Sequence, residues 1–360
     1  MTLDERAYWV ALVQFRSFGA VRMGRLMRHF GSGKRAFEAS ALEFTEAGIE
    51  PAIASRFLQS RIHIDPESLM RELDVQGVQA ITLLDDIYPP LLKEIYDPPA
   101  VLFLRGALPD PARRHLAVVG SRKASDYGIR VTQELVKLLA EAGVVIVSGL
   151  AYGIDAIAHD TTLNAEGSTI AILGSGVDDK SIYPSAHRAL AARILASGGA
   201  LLSEFPLGTN PLKQNFPFRN RIIAGISNGT LVVEAALKSG SLITARCAME
   251  VGRDVYAVPG SIHADTSQGP HNLIKLGATP VTSVQDIFGL ETPQPIESSY
   301  QPRGEEETAV WSRLTTMPVH IDEIIRATQF PPHKAASTLT MLEIKGAVRH
   351  HGGNFYTRSS

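Results

Sequence analysis

Cysteine is almost absent. Cys247 is the only one in 360 residues, which excludes an intramolecular disulfide framework and a cysteine-based zinc finger. A charge excess of either sign is also missing. Lys and Arg number 35 against 37 Asp and Glu, for a net charge of −2. Affinity from bulk positive charge is therefore excluded, whereas a confined basic groove is not. No apolar run qualifies as a membrane span: the most apolar stretch, residues 143–159, contains Ser148, Gly149, Gly153 and Asp155. The opening MTLDERAYWV carries acids early and lacks a basic segment followed by an apolar one, so no signal peptide is expected. Several chemical signatures are missing as well. There is no G-x-G-x-x-G after the first strand of the parallel pattern, no G-x-x-x-x-G-K-[ST], no nucleophile elbow and no H-E-x-x-H. GSGVDD at 174–179 is half a fingerprint at best. No catalytic residue, metal or cofactor is expected. What remains is ordinary for a soluble globular chain, with 44% hydrophobic and 20% charged residues, and a cytoplasmic protein of two or three domains is expected.

The first segment is unusual in charge. Between Ala7 and Phe37 there is no acid, while Arg16, Arg22, Arg25, Arg28, Lys34 and Arg35 all fall there. Trp9, Val10, Val13, Val21, Leu26 and Phe30 recur at helical spacing, broken by Gly19, Gly31 and Gly33. Short helices joined by glycine turns are expected over 1–76. The run LMRHFGSGKRAFEAS suits either a small DNA-contact motif or a helical bundle with a solvated basic face. Two Pro-Pro pairs then forbid a continuous helix before the strand VLFLRG. From His115 onward, apolar strands alternate with helical segments: 116–120, 144–149, 169–174, 200–205, 230–235 and 254–260. Unalternating apolar strands separated by helices predict an α/β fold over 77–290, a Rossmann-like, doubly wound, mostly parallel sheet. Residues 291–306 read as a linker. Residues 307–360 read as three short helices and two strands, the layout of a winged helix, with DNA or a protein as its partner.

In such sheets ligands bind beyond the carboxyl ends of the strands. The loops expected there are small and polar: Gly120-Ser121-Arg122, residues 148–153, residues 174–176, residues 203–206, Ser239-Gly240-Ser241 and residues 259–261. Small residues let backbone N–H groups approach an oxyanion closely, although glycine and serine also serve as turn and cap residues. Arg122 stands where a guanidinium can fork onto phosphate oxygens. PLKQNFPFRNRIIAG places Lys213, Arg219 and Arg221 around Phe216 and Phe218 with no acid from 205 to 233. Cations interleaved with aromatic rings suit single-stranded nucleic acid; the alternative is that the rings are core and the arginines structural. Pro211 and Pro217 favour a loop there. Asp155 and His159, four residues apart, suit an acid–base pair or a buried satisfied dyad. Glu204 and Glu234 suit a carboxylate pair or, preferably, supports for Arg122 or Arg219.

The blocks DDIYPPLLKEIYDPPAVLFLRG, VVGSRKAS, VSGLAYGIDAIAH, LLSEFPLGTNPLKQNFPFRNRIIAGIS, VVEAALKSGSLITARCAMEVGRDVYAVPGSI and GPHNLIKLGA resemble those of the DNA-processing protein A (DprA/Smf) family, across residues 81–278. The helical start is similar in type to the sterile-alpha-motif-like or helix-hairpin-helix module of longer members, and the tail to their winged helix. The resemblance implies a non-enzymatic protein that binds single-stranded DNA, protects incoming strands in natural transformation and promotes loading of RecA recombinase in place of single-strand-binding protein. It also implies a homodimer formed through the Rossmann-like domain. By motif, Arg122 and Lys213 correspond to the main phosphate-contacting cations, Phe216 to an aromatic of the same pocket, and Arg219-Asn220-Arg221 to its wall. The rival expectation is a nucleotide-processing hydrolase of the lonely-guy or lysine-decarboxylase-like type. That group uses a P-G-G-x-G-T loop, where this sequence reads SGSLIT.

Overall fold

The computed structural model describes residues 3–290, 300–315 and 318–358. It forms two units, Met1–Leu290 and Glu291–Ser360. The proline-rich segment 291–299 expected to begin the linker lies outside the described residues.

The first unit starts with helices, the longest being Leu3–Gln14, Ala20–Phe30, Pro51–Ser60 and Pro66–Val75. Their apolar faces bury Trp9, Phe18, Phe44 and Phe57. Phe18 and Phe57 lie 4.7 Å apart between ring centroids. The glycine breaks work as read: Gly31 ends Ala20–Phe30 in the left-handed conformation at φ 65°, and Ser32 caps the next helix, Gly33–Glu38, by accepting from Arg35 N.

Nine strands follow: β1 Gln79–Thr82, β2 Val101–Gly106, β3 His115–Val119, β4 Val145–Ser148, β5 Thr169–Ile172, β6 Ala200–Ser203, β7 Gly229–Val232, β8 Asp254–Ala257 and β9 Thr279–Pro280. They form one sheet in the order β1-β2-β6-β5-β4-β3-β7-β8-β9. Pairing is parallel from β6 to β9 and antiparallel at β1–β2 and β2–β6. The short strands β1 and β9 had no separate signal in the sequence pattern.

Side chains along each strand alternate between two cores. Leu116 and Val118 pack with Leu135, Val136 and Leu139 of helix Asp126–Glu141 on one face. Ala117 and Val119 pack with Ile222 and Ile223 of helix Asn215–Gly225 on the other. Both faces are covered, so both residue parities are apolar and the strands read as continuous hydrophobic runs. The initial helices share a core with Val101, Phe103, Leu173 and Leu201 of the sheet. Strand order reverses direction between β3 and β7, and a crevice at the carboxyl ends is the consequence.

In the second unit, helices Glu305–Trp311, Ile321–Thr328 and Pro332–Ile344 enclose Val310, Leu314, Ile324, Leu339 and Leu342. A three-stranded sheet joins them: β10 Val319–His320, β11 Val348–His350 and β12 Phe355–Arg358, ordered β10-β12-β11. This is the winged-helix layout with one more strand, β10, than the pattern announced. Among the described residues no helix is long and apolar enough to cross a membrane.

Candidate nucleic-acid interface

Three of the predicted residues, Arg122, Phe216 and Arg219, come together at the carboxyl edge of the sheet, with Phe216 at their centre. Its segment is helical where the prolines had suggested a loop. Pro217 is the third residue of helix Asn215–Gly225, where an N–H has no intrahelical acceptor, so the ring costs no hydrogen bond. Phe216 packs against Gly174, whose added Cβ would lie 2.9 Å from the ring. Two guanidiniums flank that ring: Arg122 at 5.6 Å and Arg219 at 5.9 Å from its centroid, within cation–π range.

These two arginines differ in kind. Arg122, on the loop after β3, is exposed and has no ion pair among the described residues. Arg219 is 4% exposed. It donates to Gly149 O at 2.8 Å, to Ile172 O, and through Nε to Asn220 Oδ1 at 3.2 Å. Burial pulls its pKa down to about 10, so it stays charged at neutral pH, with the charge of Asp155 acting in its favour. Asp155 in turn accepts from Gly149 N at 3.1 Å and Ala151 N at 3.4 Å. Burial pushes its pKa up, and the Arg219 charge opposes that rise. The two groups hold Gly149 by its carbonyl and its N–H, and a Cβ there would lie 2.6 Å from the guanidinium. Only glycine fits.

The remaining predicted residues separate into anchors and exposed groups. Asn220 Nδ2 donates to Gly240 O at 3.1 Å, tying the Ser239–Ser241 loop to the helix, and the two serine hydroxyls lie 2.7 Å apart. Ser121 Oγ accepts from Lys123 N at 3.1 Å and shapes the turn after Gly120. Lys213, just ahead of the helix, is exposed and has no ion pair among the described residues. Arg221 points elsewhere. It is paired with Glu204, and its Nε lies 3.3 Å from Asp97 Oδ2.

The supporting carboxylates differ from expectation. Glu204 holds Arg221, not Arg122 or Arg219, and burial raises its pKa against the pull of that arginine. Glu234 holds neither; it accepts from Ser125 N at 2.9 Å and from Ser125 Oγ. Asp155 and His159 share no hydrogen bond among the described residues. His159 Nδ1 lies 2.7 Å from Thr169 Oγ1, which itself donates to Ile146 O, so Nδ1 carries the proton and the buried Nε2 lacks a partner. Burial, helped by the His187 and Arg219 charges, pulls the His159 pKa to about 3. This is a neutral core histidine, not half of an acid–base pair. Sequence reasoning missed Tyr183, whose ring centroid lies 5.9 Å from that of Phe216, and Tyr152, 4.9 Å from His187. Both are more than 40% exposed. Their signal was an aromatic set among small polar loop residues.

Known proteins resemble this chain over most of its length. The family model for DNA recombination-mediator protein A matches residues 79–291, and that for the DprA winged helix domain matches 293–354. Protein Smf of Escherichia coli (strain K12) is 43% identical over 308 residues, covering 84% of this chain and 81% of that one. DNA processing protein DprA of Streptococcus pneumoniae is 46% identical over 232 residues, 64% of this chain and 80% of that one. The X-ray structure of the S. pneumoniae protein superposes with a TM-score of 0.62 at 38% identity, covering 79% and 94% of the two chains. The Helicobacter pylori DNA processing protein A, described for its single-stranded DNA binding mode, superposes with a TM-score of 0.51 at 28% identity, covering 58% and 93%.

Proposed function

The chain belongs to the DNA recombination-mediator protein A (DprA/Smf) family, and from that premise we propose that it binds single-stranded DNA at the carboxyl edge of its sheet. The observation that carries the reading is an exposed, unpaired Arg122 over the face of Phe216, with Lys213 exposed three residues earlier. Phosphates sit on Arg122 and Lys213 and on N–H groups of the small-residue loops, while bases stack on the aromatic surface of Phe216, Tyr183 and Tyr152. Arg219 and Asn220 act from behind, holding Phe216 and the Ser239–Ser241 loop. Arg221 belongs to a neighbouring ion-pair cluster. The protein handles DNA without a catalytic step of its own, in the cytoplasm. It protects incoming strands during transformation and promotes RecA loading against single-strand-binding protein, as a homodimer through the Rossmann-like domain.

Fluorescence anisotropy with labelled single-stranded and duplex oligonucleotides tests the DNA reading. Wild type is expected to prefer single strands. Arg122→Glu combined with Lys213→Glu is expected to abolish binding while leaving the circular dichroism spectrum unchanged. Unaltered binding by that folded variant would place the DNA site elsewhere. Binding should also weaken with salt, and neutralising one cation should lower the log–log salt slope by about 0.7.

A further inference from the structure

Beside the interface lies a cavity of about 410 Å³ between residues 13–23 of the initial helices and the first turns of helix Asn215–Gly225, a size within the usual range of ligand pockets, about 300–1,000 Å³. We propose that this cavity is a second base-binding subsite, taking an unstacked nucleobase from the same DNA strand that crosses the Arg122–Phe216 interface; the inference rests on the DNA reading above.

Three observations carry it. First, the two sites are continuous. Gln214 and Asn215 line the cavity, Phe216 is the centre of the interface, and Phe218 lines the cavity again. Asn215 Nδ2 donates at 3.1 Å to Gly174 O, on the same glycine that backs the Phe216 ring. A strand leaving the Lys213 phosphate contact therefore meets the cavity within one helical turn. Second, the cavity has the surfaces a base requires. Phe218 is 61% exposed and its ring is free to stack. Phe15, Phe205, Pro206 and Val21 supply further apolar wall. Glu204, Asp97 and Arg221 also line it. A purely apolar helix or peptide would have to desolvate that cluster without pairing it, whereas a base edge can hydrogen-bond to it. Third, the rim has the charge a strand requires. Arg16 lines the cavity, is exposed and has no ion pair among the described residues. It belongs to the acid-free segment between Ala7 and Phe37, so a phosphate beside the seated base can pair with it, while the lining carboxylates Glu204 and Asp97 are held by Arg221. The basic face of the initial helices thus acquires a role at its junction with the sheet.

The test uses the full chain, oligothymidines of about four and about twelve nucleotides, spanning the range of single-strand site sizes, and the Phe218→Ala and Phe218→Tyr variants. Phe218→Ala is expected to weaken the longer oligonucleotide about fivefold or more, the loss of one base–aromatic stack. The short one should bind unchanged, and Phe218→Tyr should restore the longer. In the long complex, 5-iodouridine placed at successive positions should photocrosslink to Phe218 from one position. An equal loss at both lengths would make Phe218 a support for the interface and overturn the subsite. So would no loss at either length, or a change of oligomeric state by light scattering with DNA affinity intact, the mark of a protein occupant. These outcomes leave the parent reading standing, because wild type still binds. Only failure of wild type at every length removes both.

Discussion

A guanidinium costs most to hold where water cannot reach it, and its removal then costs most as well. Arg219 is 4% exposed and faces the charge of Asp155, itself 6% exposed. Truncating it in Arg219→Ala strands a buried carboxylate and two carbonyls, and is expected to destabilise the fold by about 3–5 kcal/mol. Arg122→Glu, on an exposed loop, should stay within about 0.5 kcal/mol of wild type. Urea midpoints of the two variants would show the contrast, and a similar small shift in both would contradict the assignment of Arg219 as the buried support. In the sequence the two cations looked alike, because each stands near phenylalanine or a strand end. What separates them is which strands terminate around helix Asn215–Gly225. That depends on sheet order and not on local spacing. The same gap explains Glu204 and Glu234: their placement at strand ends was legible, their partners were not.

Among elements, the strands were the most legible and the segments around prolines the least. Strands β3 to β8 each carry a short, two-faced apolar run, since burial on both sides leaves no alternation to misread. Helix Asn215–Gly225 was obscured by Pro217, because a proline at the third helical residue and one in a loop look the same in sequence. Helix Asp126–Glu141 shows how an element's end can bear on the site. Its cap, Ser125, accepts from Gly128 N at 3.1 Å and also donates to the buried Glu234 carboxylate. Glu234 thereby fixes the end of the loop that carries Arg122. Ser125→Ala loses the cap and one partner of that carboxylate, so a loss of about 1–2 kcal/mol is expected in urea unfolding. A change of a few tenths would mean that the Ser125 N–H bond to Glu234 alone holds the loop. Affinity for single strands should fall less than in Arg122→Glu, because the cation itself remains.

At the scale of the whole molecule the question is which unit supplies the charge that meets DNA. A net charge of −2 leaves no surplus to spread over the surface, so the answer lies in which cations are free. In the second unit Lys334 pairs with Glu306 at 2.7 Å, Lys345 pairs with Glu307, and Arg358 donates to Trp311 O at 2.8 Å. The helix Pro332–Ile344, the one that enters the groove in DNA-reading winged helices, exposes His333, Ser337, Thr340, Met341 and Ile344, with Met341 50% and Ile344 75% exposed. Glu343 is exposed on it as well, so that surface carries an acid, no unpaired cation, and is partly apolar. Phosphate contacts dominate nucleic-acid affinity, and this helix offers few. Arg303, Arg313, Arg326 and Arg349 of the second unit are exposed and without ion pairs among the described residues, but none lies on that helix. In the first unit Arg122 and Lys213 are likewise free and stand on the loops around Phe216, with Arg16 on the adjoining cavity. A chain ending at Leu290 keeps its own three cores and every one of those cations. It should therefore bind single-stranded DNA with the affinity and the salt slope of the full chain. Anisotropy titrations of both, at several salt concentrations, decide the matter. A slope lowered by about 0.7 or more in the shorter chain would mean that at least one phosphate contact belongs to the winged helix. Unchanged slope and affinity would leave that unit free to engage a protein.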